Sequence, residues 1–180
     1  MEPKISYTKN NYKFYHYVYT DTYKLTKYTV PRFAYTYYTK ADNLMQLQPE
    51  DDVIYRTMDN PLNIKFNIPT KKQFEELVKY CEKHYIKNYN PIDEKEKING
   101  LDGLLYVSTI NGNSIFFPAC GNYIKTYKHE ENCVTLWTAN ITNGDSHYAT
   151  YFYGNSSVSF ASNTRYCGYP VRPVCKLNLI

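Results

Sequence analysis

CVTLWTANITNGDSHYATYFYGNSSVSFASNTRYCGYPVRPVC, residues 133–175, is the stretch that decides the fold. It breaks into short runs of alternating aromatic or β-branched and polar residues. Those runs read as strands at Val134 to Thr138, Tyr148 to Tyr153, Ser157 to Ala161 and Val171 to Cys175, with Gly154-Asn155 turning the middle pair. A polar loop, Ala139 to His147, separates the first two. The same stretch is dense in Tyr, Asn, Ser and Thr. Tyr offers a large rigid face and a hydroxyl at low entropic cost, and Ser and Asn add adaptable hydrogen bonds, so this is the composition of a contact surface.

Upstream, Leu104 to Ser108 and Ser114 to Ala119 flank Asn111-Gly112-Asn113, a hairpin signature because Asn-Gly accepts positive φ. Before it lies IPTKKQFEELVKYC, residues 68–81, in which Thr70 can cap a helix and Gln73 completes a capping box. Phe74, Leu77, Val78, Cys81 and Tyr85 follow helical spacing and predict one inward stripe, with Lys71, Lys72, Glu75, Glu76, Lys79 and Lys83 facing water. Residues 88–100 carry Pro91 and a charged run and read as an exposed connection. From Tyr12 to Thr29 the chain alternates again, as a hairpin or two edge strands, and Pro31 ends that pattern. One main helix with several short antiparallel strands predicts an α+β fold.

The 180 residues suit one domain with a real core, preceded by an N-terminal segment. We divide the chain into 1–41, an attachment or assembly segment, and 42–180, the binding domain. Tyr numbers 22 against 8 Phe, so much aromatic area carries a hydroxyl that needs a partner or solvent. Residues 1–40 hold seven Lys or Arg against Glu2 and Asp21, a local net of +5. No nucleic-acid module accompanies that charge, so a solvated strand face or an acidic protein partner is the expectation, and nucleic acid is not. The five cysteines lack C-x-x-C spacing and are expected as free thiols; Cys81 and Cys120 suit buried apolar positions, and Cys167 could bridge Cys175 only at disulfide distance. No apolar run approaches the roughly 20 residues of a membrane span, and no export signal follows Met1, so a product without membrane insertion is expected.

With those elements placed, five segments line up in order: Leu47 to Asp52, Ile68 to Leu77, Asn99 to Gly121, the Trp137 strand and Arg165 to Val174. Together they resemble the Fibrobacter succinogenes major paralogous domain, common in gut Bacteroidetes and their phages, over about residues 42–175. The resemblance implies a C-type-lectin-like fold of the formylglycine-generating-enzyme type, a scaffold displaying loops and strand faces near its C-terminus. It extends to variable proteins of diversity-generating retroelements, whose substitutions favour Asn, Ser, Tyr, Thr and Asp. Two departures stand out: Tyr- and Lys-rich strands replace the family's usual opening, and its Trp-Ser-Ser motif reads Trp137-Thr138-Ala139-Asn140.

The function expected on this basis is a noncatalytic ligand-binding or display module of a phage virion or adhesin-like protein. Its ligand would be a host-surface glycan or protein, and its location the virion, or the cytoplasm before release. The structural alternative is a virion decoration or fibre subunit, with residues 1–41 pairing into a homo-oligomer or onto virion proteins. The expected ligand-binding residues are Asn140, Thr142, Asn143, Asp145 and His147 in the loop, Tyr148, Thr150 and Phe152 on one strand face by the period-two rule, and Arg165 with Tyr166. Tyr151, Tyr153, Val158 and Phe160 would then face the core, Trp137 would be buried, and Arg172 would satisfy loop carbonyls. No cofactor is expected. Asp51 and Asp52 invite a calcium or acid/base reading, but a loop carboxylate pair is usually solvated or caps nearby amides, and the histidines are scattered singles without zinc spacing. Cys167 and Cys175 stand eight apart with no neighbouring base, so no enzyme activity is expected.

Overall fold

A computed structural model of the chain describes residues 43–49, 52, 54, 65–89, 100–124, 127–129, 132–142, 148–165 and 167–175. The expectations for the N-terminal hairpin, the division at 41, Asp51 and the charged run at 93–97 lie outside those residues. Strand β1 (Phe66–Asn67) leads into helix α1 (Lys71–Tyr80). As the sequence predicts, Thr70 caps the helix: its Oγ1 accepts from Gln73 N at 3.2 Å, while Gln73 Oε1 accepts from Thr70 N at 2.8 Å. Two of the orphan amides at the helix start are thereby satisfied.

The helix is shorter than its apolar spacing suggested. It stops at Tyr80, and strand β2 (Cys81–Tyr89) follows at once. Cys81 and Tyr85 are four residues apart, a separation that fits both a helical stripe and every second position of a strand, so period alone could not separate the two. Pairing separates them, because Cys81 to Ile86 run antiparallel against Ser108 to Gly103. Val78, assigned to the inward stripe, is 40% exposed, and only Phe74 of the helix is fully buried.

Strands β3 (Leu101–Ser108) and β4 (Ser114–Pro118) form the expected hairpin and complete a sheet ordered β2-β3-β4. Gly112 takes φ +73°, its amide returns to Ser108 O at 3.0 Å, and Asn111 Oδ1 accepts from Asn113 N at 3.0 Å. Only a residue tolerant of that left-handed backbone closes this loop without strain. Cys120, expected inside, is exposed, because β4 ends at Pro118. A short pair follows, β5 (Asn122–Ile124) with β6 (Tyr127–His129).

The C-terminal stretch forms a second antiparallel sheet of β7 (Val134–Ile141), β8 (Tyr148–Gly154) and β9 (Val158–Thr164), in that order. Each strand outlasts its sequence assignment by one to three residues, since neighbouring strands supply hydrogen bonds that local pattern cannot foresee. The final run shrinks instead: β10 (Val174–Cys175) spans two residues and pairs with β1 through Phe66–Cys175 and Asn67–Val174.

Phe74 joins the two sheets. Its ring stacks on Phe152 at 4.8 Å and meets Phe117 edge-on at 6.2 Å, while Phe117 in turn contacts Tyr106 and Phe152. Leu104, Val134 and Leu136 complete this buried cluster. Gly154 belongs to the same packing, because a Cβ there would sit 2.8 Å from Leu104 Cδ1. A satellite cluster of Ile141 and Ala149 is covered by Leu44, Leu47 and Trp137. The described chain is therefore α+β, mostly strand, with the helix pinned by one aromatic ring.

Asp52 ties an early segment to the helix entry: its two carboxylate oxygens accept from Ile54 N at 2.8 Å and Ile68 N at 2.7 Å. Of the two ordinary roles of a loop carboxylate, solvation and amide capping, Asp52 takes the second. None of the five cysteines forms a disulfide, Cys167 and Cys175 included. Among the described residues no helix is long and apolar enough to cross a membrane.

Candidate ligand-contact surface

Strand β8 carries the alternation that separates core from surface. Phe152 is fully buried against Phe74 and Phe160, which corrects the expectation that it lines the contact face. Tyr148, Thr150 and Phe152 do share one face, but that face enters the core at Phe152 and is open only at Tyr148, while Ala149 on the other face is buried. Tyr151 and Tyr153, expected inside, lie half-buried on the opposite face, while Val158 and Phe160 pack against the core as expected. The chemical reason is simple: Phe152 has no hydroxyl to satisfy, whereas each Tyr does.

On the outer face, Tyr151 stacks on Tyr169 at 4.6 Å, and Trp137 stands edge-on to both. Trp137 is half-buried, and its Nε1 donates to Cys167 O at 3.3 Å. Asn163 Nδ2 donates to the Tyr169 hydroxyl at 2.8 Å. Burial, ahead of any charge, pushes the Tyr169 phenol well above its ordinary range. This cluster holds the 167–170 turn against the sheet, a framework task.

Four of the ten expected residues gather at the other end of the sheet. Tyr148 pairs with Thr164 and Thr150 with Ser162, while Thr142 N donates to Tyr148 O at 3.0 Å and Arg165 follows Thr164 directly. Tyr148 is 39% exposed, Ser162 is exposed, and Thr142, Thr150, Thr164 and Arg165 are half-buried. The Thr142 hydroxyl is buried and Thr164 Oγ1 contacts Asn163 and Cys167, so the groups left facing solvent here are the Tyr148 phenol and the Ser162 hydroxyl, with Thr150 half-buried between them, a set that can donate, accept and stack. Backbone pairing on β8 and β9 holds these groups in place.

Asn140 has a different task. Its Oδ1 accepts from Lys71 N at 2.7 Å, which satisfies a further orphan amide at the start of α1 and ties β7 to the helix. Asn143, Asp145, His147 and Tyr166 lie outside the described residues. Ser162 and Thr164 join the group without having been expected there: in place of the expected Gly154-Asn155 turn, Gly154 pairs with Val158 across a loop of Asn155 to Ser157, and that register sets Ser162 opposite Thr150 and Thr164 opposite Tyr148. Arg172 is half-buried, in the segment leading to β10.

The remaining chemistry-bearing groups are dispersed. Among the described residues no three His, Cys, Asp or Glu side chains converge on a point that could hold a metal ion. Cys133 lies 3.2 Å from the Tyr153 hydroxyl, and Cys167 lies 3.3 Å from Thr164 Oγ1. Comparisons with family models, curated proteins and solved structures give no match to this chain.

Proposed function

We propose that this chain is a noncatalytic ligand-binding module that contacts its ligand through the Tyr148 end of the β7-β8-β9 sheet. The observation that carries the proposal is the exposed Tyr148 ring on a strand pair that sets Thr164 and Ser162 opposite Tyr148 and Thr150, the same strands being locked into the aromatic core at Phe152. A rigid strand pair presenting Tyr and hydroxyls loses little entropy on binding, which favours recognition by pre-organisation. Under this reading the domain has a C-type-lectin-like fold, as the resemblance to the Fibrobacter succinogenes major paralogous domain implies. The ligand is a host-surface glycan or protein, and the setting is a phage virion or adhesin-like protein.

The test is adsorption of fluorescently labelled full-length protein to a panel of gut Bacteroidetes cells. Replacing Tyr148 with Ala is expected to weaken adsorption by about tenfold, the scale of losing one aromatic hot spot. A folded Tyr148→Ala, Thr150→Ala double variant that adsorbs as tightly as the parent contradicts the assignment.

A further inference from the structure

The outer edge of β9 differs from the other edges of the two three-stranded sheets. Strand β2, the edge of the first sheet, carries Glu82, Lys83 and Lys87, and β4 ends in Pro118. The far edge of β7 is occupied: Leu47 N donates to Ala139 O, Trp137 N to Pro170 O and Ala139 N to Pro69 O, at 2.7 to 3.0 Å. Charges, prolines and covering segments are the usual protections of a sheet edge. Strand β9, VSFASNT, has none of them. It is uncharged and proline-free, it matches β8 residue for residue from Val158 to Thr164, and among the described residues no strand pairs with its outer side.

The alternation of the ladder identifies which backbone groups face outward. Trp137 donates its amide away from β8, so the Trp137–Tyr151 pair is non-hydrogen-bonded and the polar groups of Tyr151 point toward Ala161. The amide and carbonyl of Ala161 therefore face β8, and those of Phe160 and Ser162 face out. One residue further, the edge is closed: Thr164 N donates to Asn163 Oδ1 at 2.8 Å, and Thr164 O accepts from Cys167 N at 3.0 Å. Among the described residues, what remains open is a short window in which Val158, Phe160 and Ser162 present their backbone groups, and within it Ser159, Ala161 and Ser162 are exposed, Ala161 being the smallest.

We propose that this window pairs with the same window of a second copy of the chain, antiparallel about a two-fold axis at Ala161. Phe160 then faces Ser162 of the second copy, and the reverse, in two hydrogen-bonded pairs that together supply about four backbone hydrogen bonds. Ala161 meets its own counterpart at the close, non-hydrogen-bonded position, where a small side chain fits. The window is self-complementary because donor and acceptor occur on both flanks of the dyad, and no like charges oppose each other across it. Lys71 sits 5.2 Å over the Phe160 ring and is paired with Glu75 at 3.5 Å. The result is a continuous sheet running through both copies.

Sedimentation velocity on the full chain, over a wide concentration range, tests this. The parent is expected to dimerise with rising concentration. Ala161→Lys and Ala161→Glu each set like charges face to face across the dyad and are expected to weaken dimerisation by about tenfold or more. Their equimolar mixture is expected to recover the dimer, which a merely misfolded variant would not do. A parent that stays monomeric overturns the proposal, as does a dimer that both variants leave intact. A monomeric parent that loses several degrees of Tm on Ala161→Lys would show the edge covered by the chain's own residues, which also overturns it.

Discussion

Tyr106 shows how a single buried hydroxyl shapes the protein's response to pH. It is wholly inaccessible, and its hydroxyl has no hydrogen-bond partner among the described residues. Burial, with a smaller push from Cys81, lifts its pKa from 10.0 to about 12. Ionisation therefore comes later in the native protein than in the unfolded chain, so the native state holds more protons between those values. The stabilising contribution is whole below pH 10 and is lost as pH rises toward 12, with a slope of about 1.4 kcal/mol per pH unit. Urea unfolding across that window should show Tyr106→Phe losing less stability than the parent, with Tyr169 still contributing in the same direction. At neutral pH the same variant should be within about 0.5 kcal/mol of the parent or more stable, because it removes an unpaired polar group. An unchanged alkaline slope, or a loss of several kcal/mol at neutral pH, would show that the hydroxyl is paired.

At the scale of elements, the sequence was most legible where local chemistry is self-sufficient. The Thr70–Gln73 capping box and the Asn111-Gly112 turn each carry their hydrogen bonds within a few residues, and both stand as read. It was least legible where tertiary partners decide. The end of α1 depends on β3 pairing with Cys81 to Ile86, and the length of β10 depends on β1, far away in sequence. The candidate surface was legible as a region, since Thr142, Tyr148, Thr150 and Arg165 do share one end of the sheet. Its inward side was not, because the run Tyr151-Phe152-Tyr153 is apolar on both faces and only the absence of a hydroxyl on Phe152 marks the core. Thermal and chemical unfolding should separate these contributions. Phe74→Ala, which removes the ring stacked between both sheets, should cost about 3–5 kcal/mol, and Thr70→Ala about 1 kcal/mol. Equal losses from the two would argue that Phe74 does not hold the sheets together.

Taken as a whole, the molecule assigns distinct tasks to the parts of one sheet. Phe152 and its neighbours anchor the β7-β8-β9 sheet to the helix, and the 167–170 turn braces its outer face through Tyr169. Among the described residues, Tyr148 is exposed at one end of this sheet and no strand pairs with the outer side of β9, the two places at which the ligand and the second copy are proposed to bind. The most direct measurement is a comparison of adsorption isotherms on Bacteroidetes cells for folded variants at two separate places: Tyr148→Ala and Thr150→Ala at the sheet end, against Glu76→Ala and Ile110→Ala, which are exposed on the helix and the β3–β4 turn. Binding through the sheet end predicts a loss confined to the first pair, about tenfold for Tyr148. Equal adsorption by all four variants, or a loss that follows Glu76 or Ile110 instead, would contradict it.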